Sequence, residues 1–235
     1  MTLYAAANAD SEVILFEDNF NYADGELPPH YWYEGRGEAT VTEQRLLINS
    51  FDEGIASAST VWLNLELQGD LRIEFDAHVI DSKNGVNNVN FLLLFNDPTG
   101  KPLYETRRER EDGAYGRYHC SEAVSSRLCS KRALQGLILT YVAGDRTESA
   151  RFRLRAAPGA RLVAENYTFE SNQAKTYSIE IVKKGDLIQY SVDGEVQLSG
   201  RVDAALGEPE AGYVGFRTWA TKLWIDRFKI TRLAV

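Results

Sequence analysis

Cysteine is almost missing from this chain: of 235 residues, only Cys120 and Cys129 carry a thiol. A zinc centre needs more ligands than that at short spacing, which disfavours a cysteine-based metal site. The pair can close a disulfide in an oxidising compartment or stay as two free thiols, and both readings stand. Positive charge is also short. Lys and Arg number 26 against 34 Asp and Glu, for a net charge of -8. A nucleic-acid binder needs a basic surface to meet phosphate, so that class is disfavoured. A polyanionic polymer is disfavoured as well, unless arginine is concentrated locally. No apolar run approaches the ~20 residues of a membrane-spanning helix. The chain shows no long amphipathic helical pattern, internal repeat, linker or low-complexity segment. One domain over residues 1–235, with residues 1–12 as an N-terminal extension, is therefore expected. Met1 to Asp10 lacks the basic and apolar regions of a signal peptide. Ala5-Ala6-Ala7-Asn8-Ala9 has the small residues that surround a cleavage site, and the expectation is a periplasmic or secreted protein.

What the chain does have is alternation. In Leu71-Arg72-Ile73-Glu74-Phe75-Asp76-Ala77-His78-Val79 every second residue is apolar and the others are ionisable. Side chains of a strand point to opposite faces with a period of two, so one face joins a core and the other carries Arg72, Glu74, Asp76 and His78. Four ionisable groups in succession exceed what a solvated face needs, and this strand reads as the floor of a polar groove. Val89 to Phe95 is apolar on both faces, with Asn90, Leu92 and Leu94 on one and Phe91, Leu93 and Phe95 on the other, which suits a central buried strand. Arg151-Phe152-Arg153-Leu154-Arg155 places three arginines on one face. Lys184-Gly185-Asp186 and Asp193-Gly194 are hairpin turns of a meander from Tyr177 to Ser199. The terminal segments are both strands and are expected to pair. About a dozen short strands with closely spaced turns give an all-β chain folded as an antiparallel sandwich. Hydrophobic residues make up 44% of the chain, enough for its core, and aromatics 11%, which also suits sugar stacking.

Two constellations point to chemistry. Glu74 and Asp76 share a strand face at about 6.5 Å. Glycoside hydrolysis uses two carboxylates about 5–5.5 Å apart for retention or ~6.5–9.5 Å for inversion, so this pair suits either. Alternatively the two carboxylates are closed by Arg72, or by Arg153 and Arg155 on a neighbouring strand. The second constellation is Arg117-Tyr118-His119 with Tyr141 and Arg217. β-Elimination from a uronic acid needs a cation for the carboxylate, a base for the C5 proton and an acid for the leaving oxygen, and Arg, His and Tyr supply these roles. An ordinary buried His bonded to a Tyr is the plainer alternative. Tyr31, Trp32, Trp62 and Trp219 offer aromatic faces to pyranose rings or pack into the core.

Trp32-Tyr33-Glu34-Gly35-Arg36-Gly37, Glu74-Phe75-Asp76, Arg117-Tyr118-His119, Leu139-Thr140-Tyr141, Val214-Gly215-Phe216-Arg217 and Trp224-Ile225-Asp226-Arg227-Phe228 together resemble the YesU-like bacterial proteins. The resemblance runs from about Phe16 to Leu233. It implies a concanavalin A-like jelly-roll β-sandwich, similar to lectins and glucanases, and a setting of pectin-type polysaccharide use. Glucanases of that fold carry catalytic carboxylates at alternate positions of one strand, although Glu74-x-Asp76-x-His78 lacks their third acidic residue. The chain departs from the family pattern in the long loop between His119 and Leu134 and in having Glu74.

The expectation is a protein that binds an oligosaccharide on its concave sheet and cleaves a glycosidic bond in an acidic plant or algal glycan. His119 and Tyr141 would be base and acid of a lyase; Glu74 and Asp76 would be the carboxylates of a hydrolase. Arg117, Tyr118, Arg153, Arg155, Arg217, Asn90, Trp62 and Trp219 would bind substrate. No catalytic metal or cofactor is expected; a structural Ca²⁺ would suit the fold, although no loop is acidic enough to name its ligands. The alternative is a carbohydrate-binding module or lectin without chemistry.

Overall fold

The computed structural model describes residues 11–51, 58–82, 88–107, 134–142, 151–167, 175–203 and 209–234. These residues form an all-β sandwich of two antiparallel sheets. In chain order the strands are β1 (Val13–Asp18), β2 (Tyr31–Gly35), β3 (Glu38–Thr42), β4 (Arg45–Asn49), β5 (Ala58–Leu63), β6 (Leu67–Gln68), β7 (Leu71–Ser82) and β8 (Asn88–Asn96). They continue as β9 (Gln135–Val142), β10 (Arg151–Ala157), β11 (Arg161–Asn166), β12 (Thr176–Lys184), β13 (Leu187–Val192), β14 (Glu195–Arg201), β15 (Ala211–Trp219) and β16 (Thr221–Arg232).

The first sheet runs β14-β13-β12-β7-β16-β4-β3, with β1 also paired to β16. The second runs β11-β10-β9-β8-β15-β5-β2, with β6 on the end of β15. Period-two patterning places the core between them. Leu71, Ile73, Phe75, Ala77 and Val79 of β7 face Phe91 and Phe216 of the second sheet; the Phe75 ring lies 5.5 Å from Phe91 and 5.0 Å from Phe216. The terminal strands pair as their patterns suggested, from Val13 against Arg232 to Asp18 against Phe228. Gly185-Asp186 and Asp193-Gly194 turn the two hairpins of the meander.

Of the bulges that break the alternation, two decide which side chains reach the core, and the first corrects the faces expected for Val89 to Phe95. In β8, Leu94 has a positive φ of 51° and the register with β9 slips between Leu93 and Asn96. One residue is therefore extra, so Leu94 joins Leu93 in the main core while Phe95 turns to the outer face with Leu92. In β16 the slip falls between Asp226 and Lys229, with Arg227 at φ 50°. Leu223 and Ile225 before it, and Phe228 and Ile230 after it, all reach the core.

A second, smaller apolar cluster sits on the outer face of the second sheet, where Leu103 and Leu134 cover Trp32, Trp62, Leu92 and Ile138. It explains Gly215. A Cβ there would lie 2.8 Å from the Trp62 ring and 2.9 Å from the Val61 carbonyl oxygen. Only glycine lets the indole lie across β15.

Candidate functional site

The polar face of β7 forms the outside of the first sheet. Register brings Lys229 of β16 opposite Glu74, and Asp226 opposite Asp76. The extra residue, Arg227, is thereby aimed at Asp76, and its Nε donates to Oδ2 at 2.6 Å. Ser178 Oγ donates to the other carboxylate oxygen at 2.8 Å. Lys229 Nζ lies 2.7 Å from Glu74. Arg72 donates two hydrogen bonds to Glu12, at 2.9 and 3.0 Å, and lies 3.5 Å from Glu180. The expected polar groove is there: about 420 Å³, with Glu17, Glu74, Asp76, Ser178, Arg227 and Lys229 among its walls. Both candidate carboxylates are closed by cations, but from β16 rather than from Arg72, Arg153 or Arg155. At the end of the row His78 stacks parallel to Trp224 with ring centres 4.9 Å apart, and the Arg45 guanidinium lies 4.6 Å from the same indole. Burial, then the charge of Arg45, lowers the His78 pKa.

The outer face of the second sheet carries a different array. Directly paired residues on neighbouring strands share a face. Glu34 pairs with Thr60, Thr60 with Arg217, Arg217 with Asn90, Asn90 with Thr140, and Thr140 with Arg153. One polar residue from each of six consecutive strands thus forms a transverse row. Thr140 Oγ1 donates to Asn90 Oδ1 at 2.8 Å, and Asn90 Nδ2 donates to the Arg217 carbonyl at 3.2 Å. Glu34 accepts the Trp32 indole N–H at 3.0 Å. Glu34, Thr60, Arg217, Asn90 and Thr140 are buried. Thr60 Oγ1 and Trp219 Nε1 are also buried, with no hydrogen-bond partner among the described residues. Beyond the row, Arg153 Nε lies 3.2 Å from Glu165, and the Tyr167 hydroxyl donates to Glu165 at 2.8 Å. Arg155 and Trp219 are half-buried on the same face.

The structure therefore brings Asn90, Arg153, Arg155, Arg217 and Trp219 together and sets Glu74 and Asp76 on the opposite side of the sandwich. Two expectations need correction. Tyr141 faces inward, 2% exposed, stacked on Phe152 with ring centres 5.2 Å apart. Its parity with Leu137 and Leu139 puts it in the inter-sheet core, out of reach of a ligand on either outer face. Trp62 is 0% exposed and stacks on Trp32, so neither it nor the buried Trp32 and Tyr31 offers a free face to a sugar. Arg117, Tyr118, His119, Cys120 and Cys129 lie outside the described residues. Sequence reasoning did not single out Glu34, Thr60 or Thr140 as site residues. Thr140 could have been found, since it alternates with Leu139 and Tyr141. Thr60 and Glu34 emerge only from the inter-strand register. Among the described residues, no group of three or more His, Cys, Asp or Glu is arranged to hold a metal ion.

No family model and no curated protein sequence matches the chain. Its shape does find relatives. A protein of unknown function with a galectin-like fold from Bacillus subtilis superposes with a TM-score of 0.72 at 16% identity, over 94% of this chain and 96% of that one. The fold is a galectin-like, legume-lectin-like sandwich. A seed lectin of Lotus tetragonolobus gives a TM-score of 0.62 at 15% identity, over 94% and 99% of the two chains. The carbohydrate-binding module CBM66 from Bacillus subtilis gives 0.55 at 13%, over 85% and 93%.

Proposed function

We propose that this protein binds an oligosaccharide on the outer face of its second sheet, as a lectin-type module and without chemistry of its own. The observation that carries this reading is the transverse row from Glu34 to Arg153. Sugar hydroxyls are recognised by polar groups whose positions are fixed beforehand. Here Asn90, Thr140 and Arg217 are fixed by register, burial and their mutual hydrogen bonds. The half-exposed residues beside them, Trp219 on one flank and Arg153 and Arg155 on another, are the ones a ligand would touch. Trp219, half-buried, supplies an aromatic face, while its indole N–H is buried beneath it. Fold relatives named as a lectin and as a carbohydrate-binding module support the reading. The motifs Val214-Gly215-Phe216-Arg217 and Trp224-Ile225-Asp226-Arg227-Phe228 support kinship with the YesU-like proteins within it.

Hydrolysis is the second reading, favoured by the groove that holds Glu74 and Asp76 on one floor. Asp76 weighs against it, because Arg227 and Ser178 take both of its carboxylate oxygens and a nucleophile or base needs one free. The lyase reading loses its acid with the inward-facing Tyr141.

Calorimetric titration with neutral and acidic oligosaccharides, run beside assays for reducing ends and for the ultraviolet absorbance of unsaturated uronic products, separates these. The binding reading expects saturable heat, no product, and a loss of affinity in Asn90→Ala and Trp219→Ala but not in Glu74→Gln. New reducing ends that vanish in Glu74→Gln would overturn it in favour of hydrolysis. Absorbance gain would overturn it in favour of elimination.

A further inference from the structure

Strand β10 carries Arg151, Arg153 and Arg155 at alternate positions, so all three project from one face about 7 Å apart. Their environments differ. Arg153 is neutralised by Glu165, and its Nη2 donates to the Tyr167 hydroxyl at 2.8 Å. Arg155 has no hydrogen bond or ion pair among the described residues. Its register partners are Ile138 on β9 and Leu162 on β11, and Leu92 lies beyond Ile138. A half-buried guanidinium thus rests on an apolar floor beside two further cations. Burial, then the charges of Arg153 and Arg151, lowers its pKa. Leaving a cation so placed is costly unless an anion completes it. The protein is acidic overall, at -8, so this run of arginine opposes its bulk charge.

We propose that Arg155 is the anion subsite of the glycan-binding face and takes a carboxylate or sulfate substituent of the bound sugar. This rests on reading the second sheet as that face. A guanidinium presents a planar fork of N–H donors that matches two oxygens of either group, and the apolar floor keeps competing water from one side. Arg153, already paired with Glu165, offers no free fork and little uncompensated charge, which leaves Arg155 as the donor to the anion. The ligand class is then an acidic oligosaccharide, with its charged substituent over β10 and its neutral rings extending across the sheet toward Trp219. From Arg153 to Arg217 the row crosses three strand spacings, about 14 Å.

The test is calorimetry with three probes: an oligogalacturonate, its carboxyl-reduced neutral counterpart, and a sulfated galactan oligosaccharide. The expected result is that the wild type prefers one of the anionic probes by about tenfold or more, falling with salt. Arg155→Ala should remove that preference, bringing affinity for the anionic probe down to that for its neutral counterpart. Arg155→Lys, which keeps charge but not the fork, should recover only part of it. Whichever anionic probe binds identifies the group. Equal affinity of the wild type for all three, or an intact preference in Arg155→Ala, overturns the anion subsite while leaving sugar binding in place. If the wild type binds none of the three, sugar binding itself fails. Titration of inorganic sulfate against the Arg155 Nε–H resonance then decides: a saturating shift sustains an anion site, and no shift overturns it.

Discussion

Arg227 meets Asp76 only because β16 carries one residue more than the strand it pairs with. Register sets Asp226 against Asp76 and Lys229 against Glu74, and the residue left over at φ 50° turns its guanidinium onto the buried carboxylate. The arginine is 64% exposed and the aspartate 10% by side chain, so the pair is half-solvated and each partner has a different stake in it.

Replacing Arg227 with alanine should destabilise the protein by about 1 kcal/mol, because Asp76 keeps only its bond from Ser178 while solvent screens much of the lost attraction. Urea unfolding midpoints check it. Asp76→Asn should cost less than Arg227→Ala, since an amide without a cation leaves no buried charge. The reverse order would show that the ion pair contributes little.

Trp62→Ala should cost about 3–5 kcal/mol, the range for emptying a large aromatic from a packed core. Trp219, half-buried at the rim, should cost clearly less and instead weaken sugar binding. Denaturant midpoints with an unchanged slope, together with calorimetry, separate the two. A Trp62→Ala protein of full stability and lower affinity would return Trp62 to the binding surface.

Gly215→Ala should cost about 1–3 kcal/mol by forcing the Trp62 indole off β15. Near-ultraviolet circular dichroism reads the displaced ring directly. The same substitution in a Trp62→Ala background should cost less but still destabilise, because the ring is gone while the Val61 carbonyl oxygen remains 2.9 Å from the added Cβ.

Acidification should weaken the fold through His78. Its folded pKa lies below the usual 6.5, with burial first and Arg45 second as causes. Between the folded and unfolded values the unfolded chain binds more protons, so stability rises with pH there. It is fully present above about pH 6.5 and lost as pH falls through that window. Unfolding midpoints compared at about pH 7.5 and about pH 5.5 should show a smaller drop in His78→Gln than in the wild type. Equal drops would remove His78 as the cause.

Much of the fold was legible because most strands keep strict alternation. β7 and β10 have the faces their patterns indicate, β8 lies in the middle of its sheet, and the terminal strands pair. What failed was parity. Nothing in Leu93-Leu94-Phe95 announces a bulge, because every candidate residue is apolar, and Asp226-Arg227 looks like two ordinary solvent-facing residues. The aromatic strand Tyr31–Gly35 and the edge strand Arg161–Asn166 were missed for opposite reasons. The first is buried or half-buried on both faces, and the second is half-exposed or exposed throughout. For the site, Arg153, Arg155, Arg217 and Asn90 could be named singly, but only register shows that Arg153, Arg217 and Asn90 form one line. Trp62 and Tyr141 misled because Ile138 and Val61 are as apolar as they are, so either face could have been the core.

The place of β16 also governs how this chain can be made. It lies between β7 and β4 and pairs with β1 as well, yet it follows every one of them in sequence. Until Thr221–Arg232 has been synthesised, the first sheet has no middle: β7 is without one neighbour, and β1 and β4 have lost the strand they share. The β12–β13–β14 meander can form early beside β7, but the strands on either side of the gap must wait with apolar faces uncovered. Closure joins residues far apart in the chain, a topology that folds slowly. Loss of the final strand would therefore remove the seam that holds the two halves of the sheet together, rather than trim an edge.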